Sequence, residues 1–372
     1  MSNKNIKILF IIYLSCHGWY LFFGNFLFWD DVWLFNVNNL ARYHAFDSVG
    51  FKYTSLIHNL LNNFHPVVNR TIVFLLIIVQ AILLLKILKK YKIFNENISF
   101  IIIALFLSSP LNISRINIIN VPLQIYYFCF FLSFLISTKR FYLSLLIFFI
   151  SFFYHPLIFL YIVPYIILIK YYYINKPKTI IYFLKVFLLS SLPFIFWIFK
   201  LKYLVPKDLE LNYNKIYFDL SIISNLFVIF KNFIFIEVNA FLVIFVFITL
   251  LSKVPTKCFE LRYLNLNISY SWMFFLLTLT PYLLTRKLPI FRDWDTRFQI
   301  ILIYPLIYFI LLLYYKLCNK YKNCYLVLVL SIFISININN YFSYYVEMKK
   351  HQALSKYIIS VSYTHLRAHE TD

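Results

Sequence analysis

The stretch FLFWDDVWLFN, residues 26–36, sets two adjacent carboxylates, Asp30 and Asp31, between aromatic residues at the end of a long apolar run. A carboxylate placed there has two chemistries open to it. It can take a proton from an acceptor hydroxyl as a general base, or it can ligate a divalent metal. Neighbouring side chains diverge by roughly 100° on a helix, so the two cannot aim at one atom. One member of the pair is therefore expected to act while the other caps the following helix, a position that suits Asp on its own account. A plain polar stop at a lipid–water boundary needs no doublet, and this one is flanked by Trp29 and Trp33.

The remaining candidates are mostly basic. HPVVNR, 65–70, offers His65 and Arg70, with Pro66 suited to a helix start. Arg70 sits where it can snorkel or grip a phosphate. Arg115 lies in SSPLNISRINIINVP, a short turn with no acid beside it; a cation near hydrocarbon needs a partner, and a bound phosphate or a lipid headgroup would serve. His155, in FYHPLIF, occupies a similar turn and reads first as a hydrogen-bonded structural histidine. The densest polar stretch is RKLPIFRDWDTRFQI, 286–300, in which Arg286, Lys287, Arg292 and Arg297 surround Asp293 and Asp295. Part of this cluster satisfies itself, and the i, i+4 pair Asp293–Arg297 is a structural candidate. A surplus of positive charge remains, as a phosphate site requires.

These residues must be positioned by membrane-spanning helices. The chain is 62% hydrophobic and 22% aromatic, with 13% charged residues and a mean hydropathy of +0.77. A soluble domain of 372 residues could not bury that much apolar surface. Apolar runs of roughly 18 or more residues recur throughout. The expectation is an all-α, polytopic integral membrane protein with about eleven spans, forming one multi-pass domain over residues 1–360. The spans fall near 8–28, 71–88, 98–114, 117–137, 141–154, 157–169, 179–199, 233–251, 266–284, 298–315 and 325–342. The segment 216–232 reads as an external interfacial helix. The tail VSYTHLRAHETD departs from the composition of everything before it; 361–372 is expected to be non-native, and the true C-terminus to be missing.

A net charge of +21 would ordinarily raise nucleic acid as a partner. Here the basic residues sit in short loops between apolar runs, KKYK (89–92), TKR (138–140), KYYYINKPK (170–178), SKVPTKCFELR (252–262) and KLCNKYK (316–322). Such loops mark the cytoplasmic face. With the N-terminus they hold about half of the Lys and Arg but only two acids, Glu96 and Glu260. No nucleic-acid role follows, and the N-terminus is expected inside. Asp30 and Asp31, the amphipathic first loop up to Arg70, Arg115, His155, the loop 200–219 and the stretch 285–297 then share the external face. The five cysteines show neither metal spacing nor a pairing framework.

An acidic doublet after the first span, an amphipathic external loop, many further spans and external arginines together resemble the glycosyltransferase C (GT-C) superfamily, polytopic enzymes that use lipid-phosphate-linked sugars. WDD at 29–31 and HPVVNR at 65–70 carry the resemblance, with SRINIINVP at 114–122 and RDWDTRF at 292–298 more loosely. It implies a membrane glycosyltransferase of the bacterial inner membrane that moves a sugar from a polyprenyl-phosphate donor to a saccharide or lipid acceptor, for cell-envelope polysaccharide biosynthesis. Asp30 or Asp31 would be the base or hold a divalent metal, the one cofactor in view, and Arg70, Arg115 and Arg292 would be phosphate ligands. The chain departs from the pattern in showing no large soluble C-terminal domain. An O-antigen-type polymerase is a rival of similar architecture. A lipid-linked oligosaccharide flippase or transporter is a rival of another class, with Lys185 or Lys231 facing Glu237 as its best support, although no internal repeat is seen and only three glycines occur.

Overall fold

The computed structural model describes residues 3–28, 30–111, 113–175, 180–204, 224–225, 268–285, 297 and 300–369. Among them every regular element is helical: fourteen α-helices joined by turns that include short 3₁₀ segments. Five helical segments are long and apolar enough to cross a membrane. They are α5 (Pro66–Lys90), Ile118–Ile136 (a 3₁₀ turn running into α7, Val121–Ile136), Pro156–Ile174 (α9, Pro156–Leu160, and most of α10, Ile162–Asn175), α11 (Ile180–Tyr203), and Tyr321–Ser355 within α14 (Asn319–His369). Shorter apolar helices occupy α1 (Asn3–His17), α6 (Glu96–Ser108), α8 (Phe141–Ser151), α12 (Ile268–Leu284) and α13 (Ile303–Lys316). Each expected span other than 233–251 overlaps one of these segments. That span lies outside the described residues, as does the expected interfacial helix 216–232 apart from Ser224 and Asn225. The final helix continues across residue 361 to His369.

The first apolar run does not form the continuous helix to residue 28 that its hydropathy suggests. α1 ends at His17, a 3₁₀ turn covers Gly18–Phe23, and Gly24 turns the chain with φ at 57°. That left-handed conformation costs glycine little, so the helix breaks there. Breaking a helix beside hydrocarbon frees carbonyls that must find donors inside the protein. Arg70, on the first turn of α5 and 1% exposed, supplies them: its guanidinium donates to the Gly24 and Phe26 carbonyls, and its Nε to Ile116 O at 3.2 Å.

The amphipathic first loop is built of three short helices, α2 (Asp30–Asn36), α3 (Asn39–Ser48) and α4 (Lys52–Leu61). Asn38 Oδ1 accepts the Ala41 amide at 2.8 Å and caps α3. Gly50, with φ at 80°, turns the chain into α4, so α3 and α4 pack on each other as a hairpin. Arg42, 2% exposed, ties the unit together. It donates to Asn39 Oδ1 and Asn59 Oδ1 at 2.8 and 2.6 Å and to the Leu34 and Val37 carbonyls at 2.8 Å each. Beneath the unit, α7 packs against both α5 and α8, and a contiguous apolar core runs through all three.

Candidate functional site

The two acids of the doublet part company. Asp31 is fully buried, and its carboxylate accepts the amide hydrogens of Ile118 and Ile119 at 3.0 and 2.9 Å. It thereby caps the N-terminus of the helix Ile118–Ile136, where free amides and the helix dipole favour a negative group. A capping role for one of the pair was legible in the sequence. The helix it caps is not the next one but one that begins 87 residues later. Burial pushes the Asp31 carboxyl up to about 6, against the opposing pull of the two amides and of Arg70.

Asp30 points the other way. It is exposed, and among the described residues its carboxylate has no hydrogen-bond or ion-pair partner. It lines a cavity of about 580 Å³ beneath the α2–α4 unit. One wall comes from that unit, with Trp33, Phe46, Phe51 and Thr54. The facing wall holds Tyr126 of α7, the α8–α9 junction at Tyr154 and His155, Trp197 and Lys200 of α11, and the end of α12 at Tyr282 and Thr285. Asn120 and Arg297 complete it. Thr54 Oγ1 and Tyr126 OH, 3.2 Å apart, link the two walls, and Tyr154 OH meets Tyr282 OH at 3.2 Å. The lining is largely apolar and rich in aromatic side chains, with a few polar groups converging from separate elements, the usual make-up of a small-molecule site.

Three residues marked from sequence, Asp30, His155 and Arg297, therefore line one cavity. Arg70 and Arg115 do not line it. Arg70 is committed to the carbonyls already named, and Arg115, 6% exposed, donates to Ser109 O and Leu111 O at 3.0 and 3.1 Å. His65 is an exposed residue at the start of α5 and makes no side-chain cap. Trp29, Arg286, Arg292 and Asp293 lie outside the described residues.

Lys200 went unmarked in sequence. Its signal was present, a lysine among Trp197, Phe199 and Tyr203 at the end of a span whose following loop was assigned outside, but it resembled an ordinary end-of-helix lysine. A divalent metal finds little support in the described lining. Asp30 is its one carboxylate, His155 Nδ1 is occupied by Lys200, and no trio of His, Cys, Asp and Glu ligands occurs among the described residues.

No protein-family model, curated protein or solved structure matches this chain.

Proposed function

We propose that this protein is a multi-pass glycosyltransferase of a bacterial inner membrane, with its N-terminus in the cytoplasm, and that it transfers a sugar from a polyprenyl-phosphate donor to an acceptor hydroxyl at the external face. One observation carries the reading. Asp30, His155, Lys200, Thr285 and Arg297 come from segments that the lysine pattern assigns to the outside, and they line one cavity. The five helices able to cross a membrane support an integral location. A lipid-anchored donor keeps its scissile bond near headgroup level, so a cavity with a carboxylate and cations at that level suits it.

In this reading Asp30 is the base. Its carboxylate takes the proton of the acceptor hydroxyl as that oxygen bonds to the sugar's anomeric carbon. The bond from that carbon to the phosphate oxygen breaks, and the electron pair leaves with the polyprenyl phosphate. Arg297 faces the charge that develops there, and low-dielectric aromatic walls strengthen its attraction. Asp31 keeps the start of the Ile118–Ile136 helix in place beneath the reacting groups.

The test is release of free polyprenyl phosphate from synthetic polyprenyl-phosphate hexoses by the protein in proteoliposomes supplied with a panel of saccharide and lipid acceptors. Asp30→Asn should slow release about 100-fold or more, the range of a lost general base, with no change in thermal unfolding. Native turnover that survives Asp30→Asn, or no release across the hexose panel, would overturn the reading.

A further inference from the structure

Lys200, in the cavity wall, uses fewer of its donors than the buried arginines do. Arg42, Arg70 and Arg115 each give at least two hydrogen bonds to backbone carbonyls or Asn side chains, although Nε of Arg42 and of Arg115 finds no acceptor among the described residues. Lys200 makes fewer. Its half-buried ammonium, which has three hydrogens to give, makes one hydrogen bond, 3.4 Å to Nδ1 of His155, and lies 5.4 Å from the centroid of the Trp197 ring. No carboxylate among the described residues pairs with it.

A charged Lys200 can only donate, so in this pair Nδ1 of His155 is the acceptor. The ring is fixed by a stack on Phe51, with centroids 5.4 Å apart, and by an edge contact with Phe196 at 6.1 Å. A cation steadied from one side, among aromatic walls, keeps its other hydrogens for whatever fills the cavity. Lys202, one half-turn on, provides the contrast: it lies over Tyr203 at 5.2 Å and does not line the cavity.

We propose that Lys200, steadied by His155, is an anion site in the cavity wall that binds the phosphate of an amphiphilic phosphate ester. The aromatic lining takes the apolar body and the ammonium takes the head. Lys200 and Arg297 oppose Asp30 alone among the described lining residues, which leaves one net positive charge. That balance suits the lower charge of a monophosphate ester better than the higher charge of a diphosphate. The inference deepens the transfer reading, since it names the group that recognises the donor, but it is a statement about binding and can be tested without turnover.

The test uses the full chain in nanodiscs, with farnesyl phosphate, farnesyl diphosphate, farnesol and inorganic phosphate titrated separately and tryptophan quenching as the readout. Native protein should bind farnesyl phosphate more tightly than farnesol or inorganic phosphate, and no more weakly than the diphosphate. Lys200→Gln should weaken farnesyl phosphate binding about tenfold to a hundredfold, the scale of a lost charge-assisted hydrogen bond, while leaving farnesol binding unchanged. Lys200→Arg should recover part of the loss, and Lys202→Gln should bind as the native chain does. Thermal unfolding of each variant separates misfolding from a lost contact. Equal farnesyl phosphate affinity in native and Lys200→Gln protein sinks the anion site, whatever the transfer assay shows. Lys200-dependent binding with no sugar transfer keeps the anion site and removes the enzyme reading. Where turnover is present, Lys200→Gln should raise KM for the donor more than it lowers kcat, the reverse of Asp30→Asn.

Discussion

A carboxylate that folding makes harder to ionise leaves a mark on stability, and Asp31 should show it. Its folded value of about 6 lies above its ordinary value of 3.8. The folded state therefore binds the Asp31 proton more tightly than the unfolded state does, and the stability that this contributes is complete below about pH 4. It is lost as the pH rises through 6. Asp31→Asn cannot ionise and keeps one oxygen for two amides, so it sacrifices an amide hydrogen bond worth about 1–3 kcal/mol. Its deficit against the native chain should be largest near pH 4 and smallest near pH 7. Parallel unfolding curves across that range, followed by light scattering in detergent, would contradict the burial of Asp31. Arg70 makes a companion case. Arg70→Lys keeps a positive charge for any phosphate but loses the fork that serves the Gly24, Phe26 and Ile116 carbonyls. The unfolding temperature should fall by several degrees in the absence of ligand, whereas a pure phosphate ligand would change binding alone. A cap from one of the acidic pair could be read from the sequence, but not which helix it serves. The part played by Arg70 could not be read at all, because residue types announce charges but not the carbonyls that a broken helix strands.

At the scale of elements, the α2–α4 unit forms the wall of the cavity that carries Asp30, and its rigidity rests on Arg42. That the first loop is helical and amphipathic could be read from its apolar spacing. That it folds back as a hairpin depended on two small signals, the cap at Asn38 and the positive φ of Gly50, which a search for one long interfacial helix passes over. Arg42 looked like one more basic residue on a polar face, yet it is 2% exposed and reaches four acceptors. Arg42→Ala should take one donor from the Val37 carbonyl and leave the Leu34 carbonyl with Asn62 Nδ2 alone, and so loosen the unit without dismantling the spans. Amide hydrogen exchange across residues 34–62 should quicken about tenfold or more, the scale of one or two lost charge-assisted hydrogen bonds, while exchange in α7 stays slow. Arg42→Lys should not restore protection, since a single ammonium cannot reach acceptors arranged for a fork. Unchanged exchange in Arg42→Ala would deny the residue this organising part.

Across the whole molecule, burial is uneven in a way that identifies the solvent. The helix Ile118–Ile136 has 61% of its apolar window buried inside the protein, whereas α11 has 17% and Tyr321–Ser355 has 22%. Large side chains such as Ile180, Phe187 and Phe194 stand 87%, 67% and 72% exposed along α11. Water does not tolerate a continuous surface of that kind on a folded chain, but hydrocarbon does. Hydropathy found these helices because lipid contact needs no partner in the sequence. It could not find the cavity, because that depends on which helix ends meet. The charge pattern connects the two scales: short basic loops mark one face, and the charged residues lining the cavity, Asp30, Lys200 and Arg297, come from segments assigned to the other. The orientation predicts a labelling pattern in intact cells. A membrane-impermeant maleimide should modify Lys52→Cys at the start of α4 and Lys202→Cys at the end of α11. The native chain should remain unlabelled although Cys318 and Cys324 are exposed on the protein, because the charge pattern assigns the basic loop beside them to the inner side; permeabilised cells should label them. Native labelling in intact cells would turn the last spans over, and the cavity that joins Asp30 to Lys200 and Arg297 would no longer open to the compartment where a lipid-linked sugar waits.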